Sequence, residues 1–292
     1  MFFVLFSFSY LYTQLLDCVF ISTRKTQNLL IKNLQLNVIK LLLLLGFIHQ
    51  ESNGMYYSWG ISIVIICIIE TLIVRKRVNN SYKPALFFDR KLGREVLGYS
   101  MKNHVADVVS SIPSMILPIM IAELINVKMV AYFTIPWMIV NSLMIIERST
   151  SQSLFAEISD DISLLGFKVA KSIKFLLYQL FPLLFMILLL GKYILGIYGE
   201  EYSSNGYSLL VILTISLIPY SLNVTYFVIL RAKKELSTLQ LYSFFLTTSI
   251  LVLSYFMAIR WSLIGIGIAW LAAQFLCFLI ISPNLNKILR GR

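Results

Sequence analysis

Nine apolar runs, each close to the length that a helix needs to cross a bilayer, limit what this chain can fold into. Crossing takes about 20 mostly apolar residues in an α-helix. An open β-strand would leave backbone groups unpaired in lipid, and the runs lack the alternation of barrel strands. We therefore predict an all-α, polytopic membrane protein with about nine transmembrane helices, near residues 1–21, 31–48, 58–74, 108–126, 129–147, 175–191, 207–230, 240–259 and 261–281.

The composition argues against the other broad classes of chain. Of 292 residues, 58% are apolar and 13% are charged, whereas a soluble domain carries about 25% charged residues. This disfavours a disordered chain and a soluble globular enzyme. The three cysteines lie in apolar stretches and predict neither a disulfide framework nor a metal site: Cys18, Cys67 and Cys277.

Basic residues alternate across the predicted spans. The chain has 25 Lys and Arg against 14 Asp and Glu, a net charge of +11. With the loops numbered by alternation, 21 basic residues fall on one side and three, Lys128, Lys192 and Arg260, on the other. The positive-inside rule then places the C-terminus in the cytoplasm and the N-terminus outside, in a plasma or inner membrane. The net charge thus reflects topology, and we expect no nucleic-acid partner.

Two pairs of helices resemble each other in order and spacing. Each pair, residues 19–74 and 226–281, passes through a short basic turn, an apolar helix, an external turn and a second apolar helix. The second helix of each begins with small residues at i, i+4 and i+8, which share one face and allow close packing: Gly54, Ser58 and Ser62, then Gly265, Ala269 and Ala273. This pattern predicts a parallel duplication.

A polar segment near residues 75–107 separates the two pairs and mixes apolar with basic residues. It predicts either an amphipathic helix in the cytoplasmic interface or a plain solvated loop, and the loop near 148–174 has the same character. We accordingly divide the chain into three transmembrane helices (1–77), a cytoplasmic interfacial linker (78–94) and a six-helix lobe with a cytoplasmic tail (95–292).

The sequence lacks the usual signatures of enzyme chemistry. It has two histidines, His49 and His104, too few for a metal cluster, and no glycine-rich phosphate loop. It also lacks a carboxylate-rich loop that would hold Mg²⁺ on a pyrophosphate, since Asp160 and Asp161 stand alone and are interpreted as a helix-start feature. We expect no covalent chemistry, no cofactor and no metal.

Ionisable residues inside the spans are candidates for function, because they are expensive to place in lipid. Lys40 lies mid-span in the second run, and Asp17 lies in the inner half of the first. Either the two pair across neighbouring helices, or Lys40 faces a water-filled cavity and binds an anionic substrate. Asp107 and Glu70 lie at the cytoplasmic ends of their spans. Glu70 is expected to snorkel or pair with Arg75, and Asp107 to form an ion pair or couple protons.

Five of the seven prolines lie in the apolar runs. A proline removes one backbone hydrogen bond and kinks or breaks a helix. Pro113 and Pro118, five residues apart in the fourth span, therefore predict a bent helix with freed carbonyl groups.

Several short motifs, in their order along the chain, resemble one family of membrane proteins. Residues 194–202 (ILGIYGEEY) precede a long apolar helix, followed by 231–235 (RAKKE) and 263–270 (LIGIGIAW). Residues 130–134 (VAYFT) and 153–159 (SLFAEIS) are similar to the paired helices that open the family's second lobe. Together they resemble polysaccharide flippases of the O-antigen (Wzx) type, in the multidrug/oligosaccharidyl-lipid/polysaccharide exporter superfamily.

The resemblance implies two parallel six-helix lobes with cytoplasmic termini. Residues 95–285 match the complete second lobe, and residues 1–77 match only the last three helices of the first. It therefore implies that three N-terminal helices are absent, and Met1, which runs into apolar residues without a basic flank, agrees with this. An N-out protein with a minimal tail is the alternative. Where the family usually has Gly-x-Tyr and a Pro, this chain has Ala131 and Ala156.

The activity that the resemblance implies is alternating-access translocation of a polyprenyl-pyrophosphate-linked oligosaccharide from the cytoplasmic to the outer leaflet, for cell-surface polysaccharide biosynthesis. Cations in a central cavity would neutralise the pyrophosphate while the polyprenyl tail stays in lipid. The candidate substrate-binding residues are Lys40 in the spans and Lys102 and Arg148 at the inner entrance. Membrane lipids and other glycan-assembly membrane proteins are further expected partners.

Three other functions are compatible with these features to different degrees. A drug or cation antiporter of the same fold would favour acidic cavity residues, of which Asp17 is one. A truncated, non-functional flippase remnant is the second. A multi-pass glycan polymerase or ligase would need a large external loop, but the longest external loop, near 192–206, is short.

Overall fold

The computed structural model describes residues 2–22, 26–47, 51–77 and 90–290, and the regular structure in these ranges is entirely helical. The helices are α1 (Phe2–Ser22), α2 (Thr26–Gly46), α3 (Glu51–Arg77), α4 (Arg90–Leu124), α5 (Val127–Asp160), α6 (Leu165–Gly196), α7 (Glu200–Ile215), α8 (Leu217–Ala232) and α9 (Leu236–Leu289). The chain forms two compact units, unit 1 (Met1–Phe88) and unit 2 (Asp89–Arg292), which are described separately below.

Eight helical segments in the described ranges are long and apolar enough to cross a membrane, with α7 and α8 counted as one. The last of them, α9, has 54 residues, but its backbone leaves the helical region at Trp261 and Ser262, where Ser262 has a φ of 52°. This break divides α9 into two passes, residues 236–260 and 263–289. The described ranges therefore contain nine helical segments long enough for a membrane pass, which confirms the prediction of an all-α polytopic protein with about nine transmembrane helices.

Unit 1 contains α1, α2 and α3, and α3 packs against both of the others. Leu16, Phe20 and Val74 form its small buried apolar core. Gly60 of α3 allows Phe6 of α1 to approach so closely that a Cβ at this position would lie 2.0 Å from the ring. The helix α2 differs from α3, because only 6% of its most apolar 18-residue stretch is buried, against 39% for α3. Unit 1 thus leaves most of α2 uncovered.

Unit 2 contains α4 to α9 around one large apolar core. The first half of α9 packs along α4, and α8 contacts the second half of α9 through a buried amide pair. There the Asn223 side-chain amide donates to the backbone and side-chain oxygens of Gln274, at 2.9 Å each. Trp137 of α5 meets Trp270 of α9 edge to face, with ring centroids 4.8 Å apart. These contacts tie the second half of α9 into the middle of the unit.

The helices extend well beyond the apolar runs. The helix α4 has 35 residues, or about 52 Å, whereas the hydrocarbon core of a bilayer is about 30 Å thick. Residues 90–94 of the expected linker are the beginning of α4, and residues 78–89 lie outside the described ranges. The expected loop near 148–174 shortens to residues 161–164, because α5 and α6 continue on either side. Hydropathy marks only the part of a helix that lies in hydrocarbon.

The two small-residue faces that suggested a duplication occupy similar places in their own units. All six small residues are buried. A Cβ on Gly54 would lie 2.5 Å from the carbonyl oxygen of Phe47, and one on Gly265 would lie 2.0 Å from that of Met257. In each case the glycine allows a helix to turn back against the end of the preceding one. The parallel duplication itself stays a prediction.

Candidate functional site

Lys40 lies in the second half of α2, six residues before the helix ends, and it is half-buried. Its ammonium donates a hydrogen bond to Oδ1 of Asn37 at 3.0 Å. The Asn37 amide in turn donates to the backbone carbonyl of Asn33 at 2.9 Å. Asn33, Asn37 and Lys40 therefore form one polar stripe on a helix that is otherwise mostly leucine and isoleucine at this depth.

Asp17 pairs with Lys32, one of the 21 basic residues that the sequence places on the cytoplasmic side. The Lys32 ammonium lies 2.7 and 2.5 Å from the two carboxylate oxygens, and the side chains are 8% and 15% exposed. Because α2 begins at Thr26, Lys32 lies inside the helix and faces α1. The alternative in which Asp17 pairs with Lys40 is therefore wrong.

Glu70 of α3 is a third buried ionisable group in unit 1, and the expectation that it snorkels or pairs with Arg75 is wrong. It is 1% exposed, and neither carboxylate oxygen has a hydrogen-bond partner within the described residues. It interacts electrostatically with Lys32 and Asp17 rather than with Arg75. Each of the three helices of unit 1 thus contributes one ionisable side chain to a buried cluster, Asp17, Lys32 and Glu70.

At the end of unit 2 that the sequence places in the cytoplasm, Asp107 is held by two partners. Arg231 of α8 lies 2.5 Å from one carboxylate oxygen, and the Asn103 amide donates to the other at 2.9 Å. An ion pair is thus the arrangement that Asp107 adopts. Arg231 was not a candidate site residue in the sequence, although it lies in the last turn of α8 and begins the basic motif 231–235.

The other two candidate cations of unit 2 are exposed. Arg148 lies on the surface of α5 and acts electrostatically on its buried neighbour Glu147, as Arg231 does. The side chain of Lys102 is exposed on α4, while its backbone carbonyl accepts a hydrogen bond from Gln240 at 3.0 Å. Arg148 and Arg231 therefore both interact electrostatically with the buried Glu147 carboxyl group. Lys102 lies where α4 contacts α9.

Both predicted helix-kink residues, Pro113 and Pro118, lie inside α4, which stays helical through them. Pro113 has no backbone N–H for the carbonyl of Val109, four residues earlier. The hydroxyl of Thr247, in the first half of α9, donates to that carbonyl at 2.8 Å in a buried contact. The sequence predicted a freed carbonyl here, and the tertiary structure supplies its partner.

The motif at residues 194–202 forms the turn between α6 and α7. Gly199 has a φ of +130°, a backbone conformation that residues other than glycine rarely adopt. Glu201 follows the turn, lies 2.9 Å from the ammonium of Lys128 and accepts a hydrogen bond from Tyr132. The same Tyr132 ring meets Tyr202 edge to face. Through Glu201 and Tyr202, the motif therefore joins the start of α7 to the start of α5.

Asp161 lies in the short turn between α5 and α6. Hydrogen bonds from the hydroxyl and backbone N–H of Ser163 lower the pKa of Asp161 below its ordinary value. Asp160 ends α5 and Asp161 is its C-cap residue, whereas α6 begins after Leu164, so the interpretation of the two aspartates as a helix-start feature is wrong. In the described ranges, no three His, Cys, Asp or Glu residues come together in a way that would hold a metal ion.

Solved transporter structures share this fold. The chain is similar to a MATE transporter solved in complex with MaL6, with a TM-score of 0.72 and 15% identity over 89% of this chain and 63% of that one. It is similar to a MOP superfamily transporter from Pyrococcus furiosus (TM-score 0.72, 14% identity, 88% of this chain and 62% of that one). It is also similar to an outward-facing multidrug resistance MATE family transporter of the MOP superfamily (TM-score 0.71, 16% identity, 90% of this chain and 63% of that one).

These similarities establish the fold of the chain. The chain spans a little under two thirds of the length of the solved structures that it matches. No protein-family model matches the sequence, and no curated protein matches it. The fold is consistent with the superfamily that the sequence motifs resemble.

Proposed function

We propose that this chain is a membrane transporter that moves a polyprenyl-pyrophosphate-linked oligosaccharide from the cytoplasmic to the outer leaflet by alternating access, without covalent chemistry. The observation that supports the proposal most is the position of Lys40 and its lack of a counter-charge among the described residues. This lysine is a cation within an apolar span, it forms no ion pair with any described residue, and it lies on the helix that unit 1 covers least. The fold shared with solved MOP superfamily transporters supports the transport part of the proposal.

The energetics of the substrate explain why a cation is needed there. Moving two phosphate charges through hydrocarbon unaided costs on the order of ten kcal/mol or more. A lysine at membrane depth lowers this barrier by replacing part of the lost hydration with a charge-assisted hydrogen bond. Lys102 and Arg148, both exposed at the predicted cytoplasmic end of unit 2, are proposed to attract the head group before it enters.

A drug or cation antiporter is the second candidate function. Its support is Glu70, a buried carboxyl group without a hydrogen-bond partner in the described part of the chain. One similar structure is described as a multidrug resistance transporter, and another as a MOP transporter whose binding pocket has reversed polarity. The sign of the charge that binds substrate therefore separates the two functions.

The test is translocation by the purified chain in liposomes. The probe is a short-chain polyprenyl-pyrophosphate disaccharide with a fluorescent label, and its leaflet is read with a membrane-impermeant quencher. Lys40→Ala should reduce the rate to that of empty liposomes, while Lys40→Arg keeps most of it because the charge remains. Gln35→Ala, an exposed polar residue elsewhere on α2, is the control and should translocate at the wild-type rate.

Two results would favour other readings. Wild-type translocation by Lys40→Ala at equal protein level would refute the assignment of Lys40. Efflux of a lipophilic cationic dye that Glu70→Gln abolishes and Lys40→Ala leaves intact would support the antiporter instead. Location in a plasma or inner membrane and partnership with other glycan-assembly membrane proteins are part of the proposed function. A result that refutes the function refutes both.

A further inference from the structure

The polar stripe on α2 has a geometry of its own. Asn33, Asn37 and Lys40 are spaced by four and three residues, so their side chains lie above one another on a single helical face. The two asparagines are exposed and Lys40 is half-buried, although the helix has the length and hydropathy of a membrane span. Ionisable side chains inside a membrane span almost always face protein or a water-filled cavity and not lipid tails.

The two hydrogen bonds determine which way the Asn37 amide points. Its oxygen must accept, because its partner is the Lys40 ammonium, and its nitrogen must donate, because its partner is the Asn33 carbonyl. The opposite orientation would set a nitrogen donor against an ammonium. Asn37 is therefore locked between its own helix backbone and the lysine, and it holds the end of a long flexible side chain in one place.

The groups left unused on this stripe are mainly donors. An ammonium has three N–H donors and a primary amide has two, and one of each is used in the observed bonds. Two donors on Lys40 and one on Asn37 remain, next to one positive charge. Several donors around a positive charge suit a phosphate oxygen rather than a cation or an apolar group.

A comparison with Lys32 shows that Lys40 lacks an internal counter-charge. Both lysines lie on α2, which has no acidic residue of its own. Lys32 is neutralised by both oxygens of Asp17, whereas the one contact of Lys40 recorded in the described structure is with a neutral amide.

We propose that Asn37 is a positioning residue for substrate, which holds the Lys40 ammonium and adds one N–H donor, so that the two residues together bind a phosphate of the lipid-linked head group. This inference rests on the proposed function, since it describes how that function's lysine meets its substrate. It assigns no role to Asn37 in folding unit 1.

The test measures binding of farnesyl pyrophosphate to the full chain in nanodiscs of neutral phosphatidylcholine, by calorimetry. Asn37→Ala should weaken binding about tenfold, because one hydrogen bond to a charged group is worth about that factor. Asn37→Asp should weaken it further, to the level of Lys40→Ala. The aspartate keeps the acceptor for Lys40 but neutralises its charge and removes the free N–H donor. Gln35→Ala is the matched control and should bind as the wild type does.

Asn37→Ala separates a binding role from a structural one, because it adds no charge beside Lys40. If Asn37 served only to fix the helix, the alanine variant would lose stability and keep the wild-type affinity. Wild-type affinity in Asn37→Asp and Asn37→Ala, together with loss in Lys40→Ala, would overturn this inference and leave the proposed function standing. Size-exclusion profiles and melting temperatures show that each variant is folded.

Two further arms test the proposed function separately. Farnesol should not bind measurably, since it lacks the phosphates, and equal binding of farnesol would overturn recognition of the head group and this inference with it. Inorganic pyrophosphate should bind much more weakly than farnesyl pyrophosphate. Equal binding of the two, still lost in Asn37→Asp, would support the positioning role while contradicting a lipid-linked substrate.

Discussion

Two lysines eight positions apart on one helix have opposite surroundings. Lys32 is almost fully buried and held by both oxygens of Asp17, whereas Lys40 is half-buried and, among the described residues, hydrogen-bonds to a neutral amide and to no carboxylate. The sequence marked Lys40 because it lies in the middle of an apolar run, and it counted Lys32 on the cytoplasmic side because Lys32 stands at the very beginning of that run. A residue's depth was readable from hydropathy, but its counter-charge was not.

The buried cluster of unit 1 predicts an asymmetry between two single substitutions. Lys32→Met leaves Asp17 and Glu70 without a cation, and removing one partner of a buried pair costs about 3–5 kcal/mol of stability. Asp17→Asn should cost less, because Glu70 already interacts electrostatically with Lys32 and offers it a second carboxylate. Thermal unfolding in detergent measures both, and Lys76→Met, an exposed lysine on α3, is the control.

The double variant Asp17→Asn with Lys32→Met completes the test at this scale. It removes both charges of the pair, so its loss of stability should be smaller than the sum of the two single losses. Strict additivity, or a larger loss in Asp17→Asn than in Lys32→Met, would contradict the view that Glu70 shares Lys32 with Asp17.

Among the elements, α4 and the first half of α9 are joined by hydrogen bonds in a regular register. Gln240 donates to the carbonyl of Lys102 and Thr247 to that of Val109, so the contacts are seven residues apart on both helices. Residue numbers rise together along the contact, which means that the two helices run parallel. A seven-residue repeat keeps one face of each helix against the other.

Thr247→Val should destabilise unit 2, because it keeps the shape of the side chain but leaves the Val109 carbonyl without a partner. We expect a loss of about 1–2 kcal/mol, at the upper end for hydrogen bonds between membrane helices. Thr248→Val, which changes an exposed neighbour in the same way, should change stability by less than about 0.5 kcal/mol. Unfolding in mixed micelles with increasing sodium dodecyl sulfate gives the free-energy differences.

Pro113→Ala tests the reason for that bond. An alanine at position 113 restores an N–H for the Val109 carbonyl, so Thr247→Val should cost much less in the Pro113→Ala background. An equal cost in both backgrounds would show that the Thr247 hydroxyl matters for some reason other than the missing proline donor.

For the whole molecule, nine passes require that the two ends of any one span open to opposite sides. In a background with Cys18, Cys67 and Cys277 replaced by serine, Ser52→Cys should react with an impermeant maleimide added outside intact cells. Ser81→Cys should react only after the membrane is opened, because the positive-inside count places it in the cytoplasm. Reaction of both cysteines from the same side would contradict the span count.

The fold as a whole was largely predictable. Long apolar runs, basic residues on alternate loops and small residues at close helix contacts each act locally, and together they are compatible with one architecture. This explains how 14–16% identity accompanies TM-scores of 0.71–0.72 with solved transporters. Helix ends were less predictable, because α4 and α5 continue into polar sequence that hydropathy does not mark as helical.

The sequence by itself determined the number of spans, their helical form and the residues that are costly to place in lipid, because each depends on the solvent that a short stretch meets. The tertiary structure alone decided which groups pair. Asp17 forms an ion pair with Lys32 and not with Lys40. Glu70 interacts electrostatically with that pair and not with Arg75. Thr247 donates a hydrogen bond to the carbonyl of Val109, 138 positions earlier in the chain. Such choices depend on how each helix is rotated and set against its neighbours, and rotation changes partners without changing the hydropathy of any run.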